Sequence, residues 1–202
     1  MKNQQIQLAA RPVGEIKLTD FKLCDAPLPD VGEGQVLVEI HHLAVEPAMK
    51  GWIEARVDYV KPVEIGEVMR GSGSGVVIES KHPDYPVGTP VAGSFGWQRY
   101  IVTDGKETAM RKIPKGSGQT AELNVLGITG LTAYFGMGEI GQPQAGETVL
   151  ISGAAGATDS VAGQLARIAG ARVIGIAGGK DKCDWLVNEL GFDGAVDYKG
   201  GD

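Results

Sequence analysis

The sequence predicts a β-rich first part followed by a second part of the α/β class. In residues 1–117 many short apolar runs alternate with turns, which is the pattern of a compact barrel. In residues 118–202 strand-like runs alternate with helical patterns, as in the βαβ units of a parallel sheet. We therefore predict two domains with a boundary between residues 117 and 118.

The first part contains several strand candidates. They are residues 21–24, 34–45, 76–79, 88–93 and 97–102. A glycine-rich run at residues 71–75 precedes the third candidate, and a strand rather than a helix follows it. This context excludes a phosphate loop and the nucleophile turn of a hydrolase, because both open a helix. The run instead predicts bent strands that pack closely together.

The second part opens with helical patterns over residues 119–126 and 131–136, interrupted at residues 127–130. Residues 148–152 are β-branched and apolar, which predicts a strand buried on both faces. Residues 172–177 form a second such run. The helix between these strands is indicated by apolar residues at i, i+4 and i+7, namely Val161, Leu165 and Ile168.

A turn of small residues joins the first of these strands to its helix, and such a turn lets a pyrophosphate approach the backbone at the helix N-terminus. The turn reads Ala154-x-Gly156-x-x-Asp159, so only the second glycine of the dinucleotide pattern is present. Asp159 suits the helix dipole but would repel a bound phosphate. On this motif alone, a purely structural βαβ unit is the open alternative.

The residues that follow the second strand help to decide between NAD and NADP as the nucleotide. NAD sites usually carry an acid there, whereas residues 177–182 place Lys180 and Lys182 after two glycines. Cations without the acid favour the 2′-phosphate of NADP, although both lysines could simply be solvated. The next helix is indicated by Cys183, Leu186, Val187 and Leu190. A third strand follows at residues 194–199, with Tyr198 at its carboxyl end.

Composition narrows the class of protein. The 202 residues are 43% hydrophobic and 22% charged, with a net charge of −6 and no basic stripe, so nucleic acid is not an expected partner. The start lacks the apolar core of a signal peptide, and no apolar run approaches the ~18 residues of a membrane span. Together with two widely spaced cysteines, Cys24 and Cys183, these features predict a cytoplasmic protein that does not bind membranes.

Zinc is not expected. A catalytic zinc needs about three Cys, His or carboxylate ligands, and the two cysteines lack metal-ligand spacing. His41 and His42 are neighbours in a predicted strand, where their side chains would point to opposite faces. His82 precedes a proline in a loop. We interpret all three histidines as structural or surface residues.

Several segments in order resemble one protein family. They are residues 79–85, 94–97, 127–134, 154–164, 175–183, 189–192 and 197–199. Together they resemble the zinc-independent medium-chain dehydrogenases/reductases, in the branch of prostaglandin reductases, alkenal double-bond reductases and curcumin reductases, and the resemblance extends over essentially the whole chain. It implies a GroES-like β-barrel followed by an incomplete Rossmann domain. It also implies NADPH-dependent reduction of a carbon–carbon double bond conjugated to a carbonyl, in enone or alkenal substrates.

The resemblance also implies site residues, although it assigns no catalytic residue. The implied cofactor contacts are Gly156, Ala157, Thr158, Gly178, Lys182, Tyr198, Thr132 and Thr129. Lys182 and Tyr198 would hold the 2′-phosphate, and Pro47 and Met49 would lie near the substrate. Packing within a helix is the competing account of Thr132 and Tyr134.

The sequence departs from the family pattern in three places. Residues 45–51 carry Glu46, Ala48 and Lys50 where the family usually has Asp, Tyr and Arg, and the resemblance implies a substrate contact for the tyrosine that Ala48 replaces. Thr158 and Asp159 replace a usual Val-Gly. The family also continues well beyond residue 202, so the expected sheet has strand order 3-2-1 with its first strand at an open edge. Quinone reduction, or a truncated and inactive NADP-binding remnant, are the alternatives, and a homodimer is possible.

Overall fold

The computed structural model describes residues 2–54 and 60–200. The chain divides into two compact units, the first ending at Leu123 and the second beginning at Asn124. The boundary that we predicted from the sequence lies shortly before this division. The described residues include no helix that is long and apolar enough to cross a membrane.

In residues 2–54 and 60–123 the first unit has seven β-strands and one short α-helix, as the many short apolar runs of its sequence predict. The elements are β1 Lys2–Leu8, β2 Phe21–Pro27, β3 Val36–Leu43, α1 Ala48–Ile53, β4 Gly73–Ser80, β5 Pro90–Gly93, β6 Tyr100–Thr103 and β7 Arg111–Lys112. Strands β1 and β2 pair antiparallel, and the others form an antiparallel sheet in the order β6-β3-β4-β5-β7. β1 also bonds to the segments before β6 and β4, because the N–H groups of Ile6 and Leu8 donate to the carbonyls of Trp97 and Glu67.

Strands β3 and β4 approach each other unusually closely at Gly75. A Cβ atom at this position would overlap the carbonyl group of Glu39 on the facing strand. The pairing of the two strands also shifts register between Ile40 and His42, as at a β-bulge. The prediction that the glycine-rich run marks bent, closely packed strands is therefore confirmed.

The last residues of the first unit are attached to it by a partly buried ion pair. Glu122, which is 5% exposed, lies in the 3₁₀ turn Ala121–Leu123. The guanidinium of Arg111 donates from Nε to Glu122 Oε2 at 3.2 Å and from Nη2 to the Glu122 carbonyl at 3.3 Å, and its Nη2 lies 3.0 Å from Oε2 in the ion pair. These bonds compensate the burial of the carboxylate.

Arg111→Ala is expected to lower the free energy of unfolding of the first unit by about 1–3 kcal/mol, because it leaves a buried carboxylate without its charged donor. Urea unfolding measures the change. Lys2→Gln is the matched control, since its ion pair with Asp25 is exposed and such pairs contribute about 0–1 kcal/mol. Equal effects of the two substitutions would contradict the role given to Arg111.

The second unit contains a three-stranded parallel sheet with helices in its crossovers. Its elements are α2 Ile128–Phe135, a π-helical segment Gly136–Gly141, β8 Thr148–Ile151, α3 Ala157–Ile168, β9 Arg172–Ala177, α4 Lys180–Asn188 and β10 Gly194–Asp197. The strand order is β10-β9-β8. This order and the alternation of strands and helices confirm the predicted 3-2-1 arrangement of an incomplete Rossmann domain.

Two details of the second unit differ from the sequence prediction. β8 is not buried on both faces, because Leu150 is 62% exposed. In the described ranges, β8 pairs only with β9, so its other edge is open. The side of α3 that carries Ile168 does not face the core either, since Ile168 is 82% exposed. The buried residues of α3 are the small Gly163 and Ala166, because the ring of Phe192 packs directly on Gly163.

Candidate cofactor site

The turn between β8 and α3 has the geometry of an anion-binding helix start. Gly153 adopts a positive φ of 61°, which favours glycine, and its carbonyl accepts the N–H of Gly156 at 2.7 Å. Gly156 is the N-cap of α3. The first bond into the helix runs from the N–H of Ser160 to the Gly156 carbonyl. The amides of the preceding residues Ala157 and Thr158 therefore have no carbonyl partner within the helix and can face an anion.

A carboxylate lies against this turn. Asp159 Oδ2 is 2.5 Å from the position that a Cβ atom at Gly156 would take, and 3.9 Å from the corresponding position at Gly153. Among the residues that the structure describes, Asp159 has neither a hydrogen-bond partner nor an ion pair. A phosphate that approaches Gly156 on this side therefore meets a like charge, as the sequence predicts.

A second group of residues gathers at the carboxyl ends of β9 and β10. A Cβ atom at Gly178 would lie 2.8 Å from the Tyr198 hydroxyl oxygen and 2.9 Å from Lys199 Cε. The two side chains thus fold back over the loop that joins β9 to α4. The ammonium group of Lys199 lies 5.8 Å from the centre of the Tyr198 ring. Gly178 and Tyr198, both predicted for the cofactor, are brought together here.

Asp197 fixes this loop, and our sequence reasoning missed it. Its Oδ1 accepts the backbone N–H groups of Gly179 at 2.7 Å and of Lys199 at 2.9 Å. These two hydrogen bonds, Gly179 first, hold the pKa of Asp197 below its ordinary value. The sequence signal for this role is an acid near the end of the third predicted strand of the second unit. The neighbouring second strand is followed by two consecutive glycines, residues 178 and 179.

The two lysines at the start of α4 differ in their surroundings. Lys180 forms an ion pair with Asp184 one turn along the helix, and this hydrogen bond raises the pKa of Lys180. Lys182 is exposed, and no partner for its ammonium group occurs in residues 2–54 or 60–200. Lys182 is therefore the lysine of α4 whose charge is available to a ligand.

The two threonines predicted near the nicotinamide make local hydrogen bonds. Thr129 Oγ1 donates to the Asn124 carbonyl at 2.9 Å, and Thr132 Oγ1 donates to the Ile128 carbonyl at 2.7 Å. Thr132 is exposed, and Tyr134 is 56% exposed. Neither side chain belongs to the buried core of the second unit, and the cofactor role of Thr129 and Thr132 stays a prediction.

The predicted substrate residues lie on α1 of the first unit. Pro47 is exposed and is the N-cap of the helix. Met49 is 5% exposed and packs with Leu8, Ile53 and other apolar residues in a core cluster. Of the two, Pro47 presents the larger surface to a ligand.

The described part of the chain contains no group of three or more His, Cys, Asp or Glu residues that could hold a metal ion.

Comparison with known proteins identifies the family. Residues 4–111, just over half of the chain, match the family described as the N-terminal domain of oxidoreductase. The chain belongs to the zinc-independent medium-chain dehydrogenases/reductases. The NADP-dependent oxidoreductase YfmJ of Bacillus subtilis is 44% identical over an alignment of 202 residues that covers 98% of this chain and 58% of that protein.

Other members of the medium-chain dehydrogenases/reductases give a consistent result. The NADPH-dependent curcumin reductase of Escherichia coli is 38% identical over 201 residues and is covered over 58% of its length. The crystal structure of CurA in complex with NADPH from Vibrio vulnificus matches with a TM-score of 0.91 and 38% identity, over 98% of this chain and 59% of CurA. The chain thus spans somewhat less than three fifths of the relatives that it matches.

Proposed function

We propose that the protein uses NADP(H) and reduces a carbon–carbon double bond conjugated to a carbonyl group. The names of its relatives support this proposal, since they include a curcumin reductase and prostaglandin reductase 1. Because this chain spans 58% of the length of the first of these relatives, the activity is proposed for the whole protein. When bound, NADPH would supply the hydride that adds to the β-carbon of an enone or alkenal.

The observation that carries the proposal is the pair of anion-accepting positions at the carboxyl edge of the parallel sheet. In our proposal, the amides of Ala157 and Thr158 bind the pyrophosphate, and the absence of a side chain at Gly156 leaves room for it. Lys182 and Tyr198 hold the 2′-phosphate, and Gly178 allows the tyrosine ring to lie over the loop. The residues of this edge fit NADP(H), except that the charge of Asp159 opposes the pyrophosphate.

The threonines of the second unit have a defined role in this proposal. Each hydroxyl donates its proton to a backbone carbonyl, so its oxygen keeps lone pairs that can accept. Thr129 and Thr132 would accept hydrogen bonds from the nicotinamide carboxamide and orient the ring. Pro47 and Met49 would lie beside the substrate. A homodimer and a cytoplasmic location stay predictions.

Nucleotide preference tests the proposal. We expect the protein to bind NADPH at least about tenfold more tightly than NADH, because the 2′-phosphate gains charge-assisted hydrogen bonds. Titration followed by nicotinamide fluorescence measures both affinities. Lys182→Gln should weaken NADPH binding about tenfold and leave NADH binding unchanged. Equal affinity of the unsubstituted protein for the two nucleotides would refute the assignment of NADP(H).

Substrate turnover separates enone from quinone reduction. We expect NADPH oxidation by the whole protein to be faster with an enone than with a benzoquinone, when both are present at the same concentration. Absorbance of NADPH follows the reaction, and the NMR spectrum of the product shows whether the carbon–carbon double bond has gained two hydrogens. Oxidation with the quinone alone would favour the alternative activity.

A further inference from the structure

The structure holds a third lysine at the nucleotide edge of the sheet, and its surroundings differ from those of the two lysines on α4. The stem of Lys199 is so close to Gly178 that a Cβ atom there would lie 2.9 Å from its Cε. The ammonium group lies 5.8 Å from the centre of the Tyr198 ring. Lys199 is therefore directed back over the loop between β9 and α4 by contacts of its own stem.

The backbone of Lys199 is fixed as well. Its N–H donates to Asp197 Oδ1 at 2.9 Å, and the same oxygen accepts the N–H of Gly179 at 2.7 Å. One carboxylate oxygen thus ties the residue after Tyr198 to the residue after Gly178. This connection holds the lysine and the tyrosine on one loop, which lowers the conformational entropy that a ligand would have to remove.

We propose that Lys199 determines the preference for NADP(H) by holding the 2′-phosphate together with Tyr198, an inference that rests on the proposed function. A hydroxyl and an ammonium group then meet the phosphate from the same loop. Lys180 already forms an ion pair with Asp184 on its own helix, so its ammonium group is less available for this role. Lys182 would reach the phosphate from α4, and Lys199 adds a second positive charge from the loop that carries Tyr198.

Lys199→Gln tests the inference because it removes the positive charge, keeps a polar end on the side chain and leaves the backbone bond to Asp197 in place. We expect NADPH binding to weaken about five- to tenfold, with NADH binding unchanged. Lys199→Arg, which keeps the charge, should retain most of the affinity. Isothermal titration with adenosine 2′,5′-bisphosphate and with 5′-AMP should show the same loss for the bisphosphate only.

Arg172→Gln is the control for a general loss of positive charge, because Arg172 is exposed at the opposite, amino end of β9. Arg172→Gln should change neither the affinity for NADPH nor the affinity for NADH. If Lys199→Gln keeps the full preference for NADPH, or weakens both nucleotides equally, Lys199 is not a specificity residue while the proposed function stands. If the unsubstituted protein fails to prefer NADPH, the proposed function and the inference are both wrong.

Discussion

Asp159→Gly is expected to tighten NADPH binding about ten- to thirtyfold. Its carboxylate lies beside Gly156, where the pyrophosphate would approach the backbone. Two unit charges about 4 Å apart near a protein surface repel by a few kcal/mol before screening, and partial exposure of Asp159 reduces this to about 1.5–2 kcal/mol. The substitution also removes the side chain that covers Gly156, so both effects act in the same direction. Fluorescence titration with NADPH measures the gain.

Asp159→Asn separates charge from size, because the amide keeps the shape of the carboxylate and loses its charge. If repulsion dominates, Asn should give most of the gain that Gly gives. Glu189→Gln controls for the net charge of the protein, since Glu189 is an exposed acid at the C-terminal end of α4. This substitution should leave the affinity for NADPH unchanged. No tightening with either Asn or Gly would show that Asp159 does not oppose the pyrophosphate.

The existence of the parallel strands was predictable because β-branched runs and helical spacing alternate in residues 148–199, whereas their order followed only from the family resemblance. The exposure of Leu150 was not, since apolar strands have the same composition whether or not another strand covers them. The buried side of α3 was missed for a related reason. Helical spacing of large residues indicated Ile168, whereas the ring of Phe192 requires a helix surface without a side chain and therefore lies on Gly163.

In the candidate cofactor site, some residue positions follow from the local sequence and others depend on how distant strands pair. The positions of Gly156 and Ala157 follow from a local pattern, namely a strand, a turn and a helix start. The role of Asp197 depends on the register of β10 against β9, which pairs Asp197 with Ala177 and so brings its carboxylate to the amide of Gly179. The position of Lys199 over Gly178 depends on the same register. Sequence spacing alone therefore predicts neither the bonds of Asp197 nor the position of Lys199.

Gly75→Ala is expected to destabilise the first unit by about 3 kcal/mol or more, the largest stability effect that we predict. The added methyl group would overlap the carbonyl of Glu39, a backbone group that cannot rotate away. To make room, β3 and β4 would have to separate at the point where their pairing already shifts register. Urea unfolding measures the loss, and hydrogen exchange of peptides from β3 and β4 should locate it.

Gly73→Ala is the matched control on the same strand. A Cβ atom at Gly73 would lie 3.3 Å from its nearest neighbours, the His42 carbonyl and the side chains of Ile40 and Leu43, so small shifts can accommodate it. We expect it to cost about 1 kcal/mol or less. Similar losses of stability for the two alanine substitutions would mean that any side chain added between these strands is costly. The contact with the Glu39 backbone would then not be the reason for glycine at position 75. A much larger loss at Gly75 would instead identify that one backbone contact as the reason why β4 requires glycine there.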